Sequence, residues 1–412
     1  MFDPAVHSSK RSLPGTRETV ALLAGLMALN AFAIDAMIPA LPAIGDELGV
    51  SDHNRRQLVV VAYFFGFGST QLIWGPLADR FGRKPVLAAG VLLYTLFAML
   101  CGIAGSFTLL IASRVAMGAS AAVTRVLVVA MVRDLFDGES MARIMSLVFM
   151  VFMVVPVIAP GVGQAILLVA PWRWIFLVLG IYGLVMLAWA WIRLPETLHP
   201  EYRRTLRLRD IGDGIRLTLI ERQSLGYTLA LTAVFGGLTA YIASIQQIVF
   251  EAFQAPGAIG LVFAAVAAPM ALASWFNSRI VERFGLRPVG HLGLIAFVAV
   301  TCGHAVLAAL VDEPLWLFAS MQGLAMASFA FTSANLSTLA MEHMAPIAGT
   351  ASSVQGVITT IGGAVIGLAI GQAFDGSPLP FLVGMALCAV VGLLLTLATE
   401  GGRLMHDPRQ VA

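Results

Sequence analysis

The sequence predicts an all-α membrane protein with twelve transmembrane helices in two six-helix halves related by pseudo-two-fold symmetry. Three observations predict it. The 412 residues are 59% hydrophobic and 12% charged, with a mean hydropathy of +0.88, whereas soluble domains carry roughly 25% charged residues. Apolar runs of about 20 residues, the length that crosses a bilayer core, recur along the chain. The charged stretch Gly75-Pro76-Leu77-Ala78-Asp79-Arg80-Phe81-Gly82-Arg83-Lys84 returns 203 residues later as Glu282-Arg283-Phe284-Gly285-Leu286-Arg287, with Glu282 in the place of Asp79.

Runs bounded by charge, glycine or proline give spans at 18–43, 55–78, 84–105, 108–132, 142–169 and 172–193, then at 224–250, 257–280, 287–310, 315–341, 347–373 and 379–399. An arginine-rich polar stretch separates the two sets, so the expected division is an N-terminal half 1–194, a linker 195–222 and a C-terminal half 223–412. Both copies of the repeated motif fall on loops of the same side, six spans apart. Parallel repeats of this kind build two-domain secondary transporters, which hold substrate between their halves near the midplane. The polar N-terminus, Met1 to Arg17, runs into the first span with no small-residue cleavage site, so a retained helix is expected rather than a cleaved signal peptide.

Loop charge sets the expected orientation. With the N-terminus inside, 20 of the 25 lysines and arginines lie on cytoplasmic segments, Lys10, Arg11, Arg203, Arg204, Arg207 and Arg409 among them, and only Arg55, Arg56 and Arg173 lie outside. The positive-inside rule then puts both termini in the cytoplasm. A net charge of +2 gives no reason to expect a nucleic-acid partner, and Cys101, Cys302 and Cys388 stand singly in apolar runs, as packed residues do. There is no His-x-x-x-His, no pair of intramembrane carboxylates and no phosphate-binding loop, so neither an enzyme nor a metal or cofactor site is expected.

Asp35 is the one carboxylate placed well inside a span, where insertion costs about 2.5–3.5 kcal/mol and implies a function by default. Ala24, Ala28 and Ala31 share its face. Arg114 lies at a similar depth in the fourth span, and Arg125, eleven residues on, falls on the same face. Asp35 with Arg114 is the expected proton-coupling pair; a purely structural ion pair between them is the alternative. Arg125 either lines the substrate cavity or snorkels to the surface. Tyr63, Gln71, Gln246, Trp275 and Phe331 complete the expected cavity, and Pro156 with Pro160 is expected to interrupt the fifth span. His304 is expected to be a packed polar residue.

These residues carry a resemblance. The Gly75 to Lys84 loop is similar to the signature between helices 2 and 3 of the major facilitator superfamily. Asp35 with Pro39 and Pro42, Arg114 with Gly118, Arg133-Asp134, Trp172-Arg173-Trp174, Leu194-Pro195-Glu196-Thr197 and Ala348-Gly349-Thr350 extend the likeness over nearly the whole chain. Together they resemble the bicyclomycin and chloramphenicol resistance (Bcr/CflA) branch of drug:proton antiporters. The resemblance implies a monomeric multidrug exporter of a bacterial inner membrane, taking a small drug and a proton and no cofactor. It also implies that Gly75, Asp79, Arg80, Gly82, Arg83, Lys84 and Arg133 form a latch, with Asp79 reaching the start of helix 11; the basic residues alone would equally serve as topology anchors. The helix 5 antiporter motif is carried by Pro156, Pro160, Gly161 and Gly163, but Ala159 and Gln164 depart from its usual glycines. Some multidrug relatives carry a second acid in helix 1 where this chain has Met27, so a neutral amphipathic drug, a phenicol or bicyclomycin, is expected rather than a cation.

Overall fold

The computed structural model describes residues 15–136, 138–199, 201 and 208–405. Lys10, Arg11, Arg203, Arg204, Arg207 and Arg409 of the charge asymmetry, and part of the 195–222 linker, lie outside them. Twelve long helices organise the chain: α1 Thr16–Asp35, α2 Leu58–Phe81, α3 Arg83–Gly102, α4 Phe107–Leu135, α5 Gly138–Val169, α6 Arg173–Arg193, α7 Arg222–Gln247, α8 Ile259–Phe284, α9 Leu286–Leu310, α10 Leu315–Met341, α11 Ala348–Gln372 and α12 Leu379–Thr399. Among the described residues, eleven segments are long and apolar enough to cross a membrane, and α5 adds the apolar stretch Val154–Leu167.

Three departures from the sequence reading have physical causes. The first span is broken: after Asp35 the chain makes a 3-10 turn at Ile38–Ala40 and a short helix at Leu41–Glu47, because Pro39 and Pro42 have no N–H to return to the carbonyls of Asp35 and Ile38. By contrast, α5 runs as one helix through Pro156 and Pro160, so the interruption expected in the fifth span falls in the first. The linker contains a helix, Leu208–Ile220, whose buried Gly214 and Thr218 lie on one face. Gly214 packs against Thr350 at the start of α11.

The two halves repeat each other in detail. Gly82 ends α2 with φ 101° and Gly285 ends α8 with φ 84°, a backbone region that glycine enters at little cost. Just past each glycine an arginine gathers acids from two helix ends. Arg83 bonds Asp134 Oδ2 through Nε at 3.1 Å, and its backbone N–H donates to Glu196 Oε1 at 2.8 Å. Arg287 pairs with Glu342 Oε2 and Glu400 Oε1, both at 3.0 Å. The halves meet where α2 packs on α11 and α5 on α8.

Candidate functional site

The break in α1 is the centre of the site. A helix end leaves carbonyls without intrahelical donors, and here one of them is filled by a guanidinium. Arg114 Nη1 donates to Ala33 O and Nε to Val59 O, each at 2.9 Å. Arg114 is wholly buried, its guanidinium 4.7 Å from the Tyr63 ring centroid, an arrangement that favours a cation. Tyr63 donates to Asn30 Oδ1 at 3.0 Å, and Asn30 Nδ2 donates to Thr124 Oγ1 at 2.8 Å. Arg114 therefore knits α1, α2 and α4 into one body.

Arg114 does not pair with Asp35. Asp35, 5% exposed, makes no hydrogen bond or ion pair among the described residues. The sequence matches their depths but not the orientation of Arg114, which is set by the Ala33 carbonyl at the α1 break and the Val59 carbonyl of α2. Across the interface, Tyr241 of α7 lies within electrostatic reach of Asp35, and its buried hydroxyl also lacks a partner. Tyr241 was invisible to sequence reasoning, since nothing in the span marks it apart from an ordinary packed aromatic.

Helix α5 reaches the same spot. A Cβ on Gly163 would stand 1.8 Å from the carbonyl oxygen of Ala36, the residue after Asp35, so only glycine lets α5 approach the break. Pro160 is buried, Pro156 half-buried, and Gly161 has nothing within 4 Å of its Cβ position.

The expected cavity residues divide. Arg125 is exposed in the middle of α4. It has no hydrogen-bond or ion-pair partner among the described residues. Trp275 is 40% exposed and stacks under Arg279 at 3.9 Å. The other four are buried or half-buried. Tyr63 is sealed beneath Arg114, Gln246 is 2% exposed, and Phe331 presses its Cβ on Gly293 of α9. Gln71 Nε2 bridges the halves to Thr360 Oγ1 at 3.1 Å.

The two ends of the bundle differ. At the end away from the repeated motif, polar residues before α2, at the end of α7 and after α11 interlock. Gln57 bonds Gln247 and donates to Gly371 O at 3.0 Å; Asn54 accepts from Gln247 at 2.8 Å and donates to Gln372 O and Phe374 O at 3.1 Å. Just beyond Gln247 a π-turn, Ile248–Ala252, brings Glu251 to 3.1 Å from His53, and π-turns often mark functional positions. At the motif end, Asp79 rests on Arg83 at 2.6 Å and makes no hydrogen bond to α11 among the described residues. The charge-assisted bond one turn along the chain takes the carboxylate that the resemblance assigned to the start of α11. Arg80 stacks on Phe81 at 5.1 Å and Lys84 on Trp191 at 4.9 Å. Arg133 is exposed, and Gly75 lies beside Val126.

The profile of the Major Facilitator Superfamily matches residues 23–367. The chain belongs to the major facilitator superfamily. As a superfamily member it is a multi-pass membrane transporter, not an enzyme. It is 31% identical to a bicyclomycin resistance protein homolog of Haemophilus influenzae over 90% of this chain and 92% of that one. It is 28% identical to a chloramphenicol resistance protein of Pseudomonas aeruginosa, over 85% of this chain and 82% of the relative. Among solved structures, the human organic anion transporter MFSD10 (TETRAN) superposes with a TM-score of 0.66 at 17% identity, covering 93% of this chain and 99% of that one. At that identity the likeness is one of fold.

Proposed function

We propose that the chain is a proton-coupled multidrug antiporter that exports neutral amphipathic drugs, phenicols or bicyclomycin among them, across a bacterial inner membrane with both termini in the cytoplasm. The observation that carries this reading is Asp35: a nearly buried carboxylate with no protein partner, at a helix break where α5 closes through Gly163. Its freedom from Arg114 leaves it available to take and release a proton, and Tyr241 supplies a hydroxyl from the opposite half. Relatives named for bicyclomycin and chloramphenicol resistance support the substrate class. Arg125 and Trp275 would meet the drug, the first by donating to its acceptor oxygens.

The chain divides into 1–194, a 195–222 linker and 223–412, and the halves rock about the site. The interlocked amides shut the outer end in this conformation, while Asp79 waits on Arg83 until the cytoplasmic end closes on α11. A proton moving down 100 mV supplies about 2.3 kcal/mol, enough for roughly a 50-fold drug gradient.

Purified protein in proteoliposomes tests the reading. An imposed pH gradient should drive accumulation of radiolabelled chloramphenicol, and collapse of the gradient with a protonophore should abolish it. Gradient-independent equilibration of drug would contradict exchange for protons.

A further inference from the structure

We infer that His304, Glu313 and Gln322 form a second proton-binding site, enclosed in the C-terminal half at the end remote from the repeated motif. His304 Nε2 lies 2.8 Å from Glu313 Oε2, and the two side chains are 1% and 3% exposed. The other ring nitrogen, Nδ1, lies 3.2 Å from the Gln322 side-chain amide. Phe318 covers the imidazole at 5.6 Å, and Phe381 and Phe253 pack on Phe318. The site is closed off from the protein surface, and it joins α9, α10 and the loop between them.

Charge decides its state. With Gln322 Nε2 donating to Nδ1, the imidazole is neutral, its one proton on Nε2 is given to Glu313, and the site carries a net charge of −1. Among the described residues no cation other than His304 pairs with Glu313. Neither α10 nor α12 contains a charged residue, and Arg222 of α7, Arg279, Glu282 and Arg283 of α8, and Arg287 and His291 of α9 all lie toward the opposite end. Of the acids of this half at the near end, Asp312 is exposed, Asp375 is exposed and accepts from Ser377, and Glu251 is occupied by His53. Glu313 Oε1 has no donor among the described residues. An uncompensated charge in such a place is expensive.

One proton removes it. An amide presents a donor and an acceptor that exchange places on a half-turn. When Nδ1 is protonated and Gln322 turns, Nδ1–H donates to Gln322 Oε1, Nε2–H still donates to Glu313, and the net charge becomes zero. Both bonds are then charge-assisted. The proton comes from solvent, and no covalent bond other than N–H forms. The chemistry stands apart from the reading of Asp35, which belongs to the other half of the chain.

Solid-state NMR on the full-length, 15N-histidine-labelled protein in lipid bilayers at pH 7 tests the proposal. His304→Gln identifies the signal among the seven histidines; if that variant does not fold, Gln322→Leu, which cannot accept from Nδ1, marks it by its shift. Expected are a His304 ring protonated at both nitrogens in the wild type and a move of Nδ1 to the unprotonated range in Glu313→Gln, with the other six histidines unchanged. A neutral Nε2–H tautomer in the wild type, or a protonation state indifferent to Glu313→Gln, overturns the proposal and leaves a structural hydrogen bond. Transport by Asp35 variants has no bearing on either outcome.

Discussion

Gly163 of α5 touches the carbonyl of Ala36 so closely that a Cβ there would stand 1.8 Å from the oxygen. The contact joins the helix 5 motif to the break beside Asp35. Gly163→Ala must push two backbones apart, an overpacking cost of about 1–3 kcal/mol. We expect transport to fall at least tenfold and the melting temperature in detergent to drop. Gly161→Ala, where the added methyl meets nothing within 4 Å, should transport within about twofold of wild type. Equal effects of the two substitutions would remove the close approach as the reason for the motif.

Arg114 and Arg125 share a helix face but not a task. Arg114→Lys loses the fork that serves Ala33 and Val59 together, and each lost bond to a charged donor is worth about 1.5–3 kcal/mol. Its melting temperature should fall markedly. Arg125→Gln should leave the melting temperature unchanged and alter drug affinity. Thermal shift and drug-binding measurements on both variants separate a structural arginine from a cavity one.

The interlocked amides tie the two halves together at one end. Gln57→Ala removes the bonds to Gln247 and Gly371, and a loss of 1–2 kcal/mol changes a two-state ratio about 5–30-fold. Spin labels at Ser51 and Asp375, in opposite halves at that end, should report a longer separation in the variant. An unchanged distance distribution would mean the amides do not gate.

Asp79→Asn should favour the conformation described here: it removes the pair with Arg83, but Arg83 keeps Asp134, whereas the other conformation loses an anion at the start of α11 worth about 0.3–1 kcal/mol. Labels at Phe81 and Gly349 should show the wider spacing in a larger fraction of molecules, about two- to fivefold. Unchanged spacing with impaired transport would end the latch reading.

Orientation has its own test. Single cysteines at Asp213 and Asp312, both exposed, should label from opposite faces of the membrane, the first from the cytoplasm. Labelling of both from outside intact cells would reverse the topology.

Much of the architecture was legible because the bilayer allows few solutions: hydropathy and the 203-residue echo of the Arg80 motif already specify twelve spans in two halves. The prolines at 39 and 42 were visible too, yet the sequence alone did not say that their break would free a carbonyl for Arg114 rather than leave it to Asp35. Rotation about a helix axis decides which side chains meet, and apolar spans that are hydrophobic all round give little signal of it. Tyr63, expected at the cavity, lies buried beneath Arg114 for that reason. Tyr241, the far-end amides and Glu313 act through partners hundreds of residues away or through a loop turned inward, and no local pattern announces them.

The central claim is that Asp35 carries the transported proton. Proteoliposomes loaded with a pH-sensitive dye, given drug on one side, should show drug-dependent proton movement with wild-type protein. With Asp35→Asn, proton movement should vanish while drug binding, measured separately, persists. Undiminished drug-dependent proton flux through the Asn variant would contradict the account and move the coupling site to another residue.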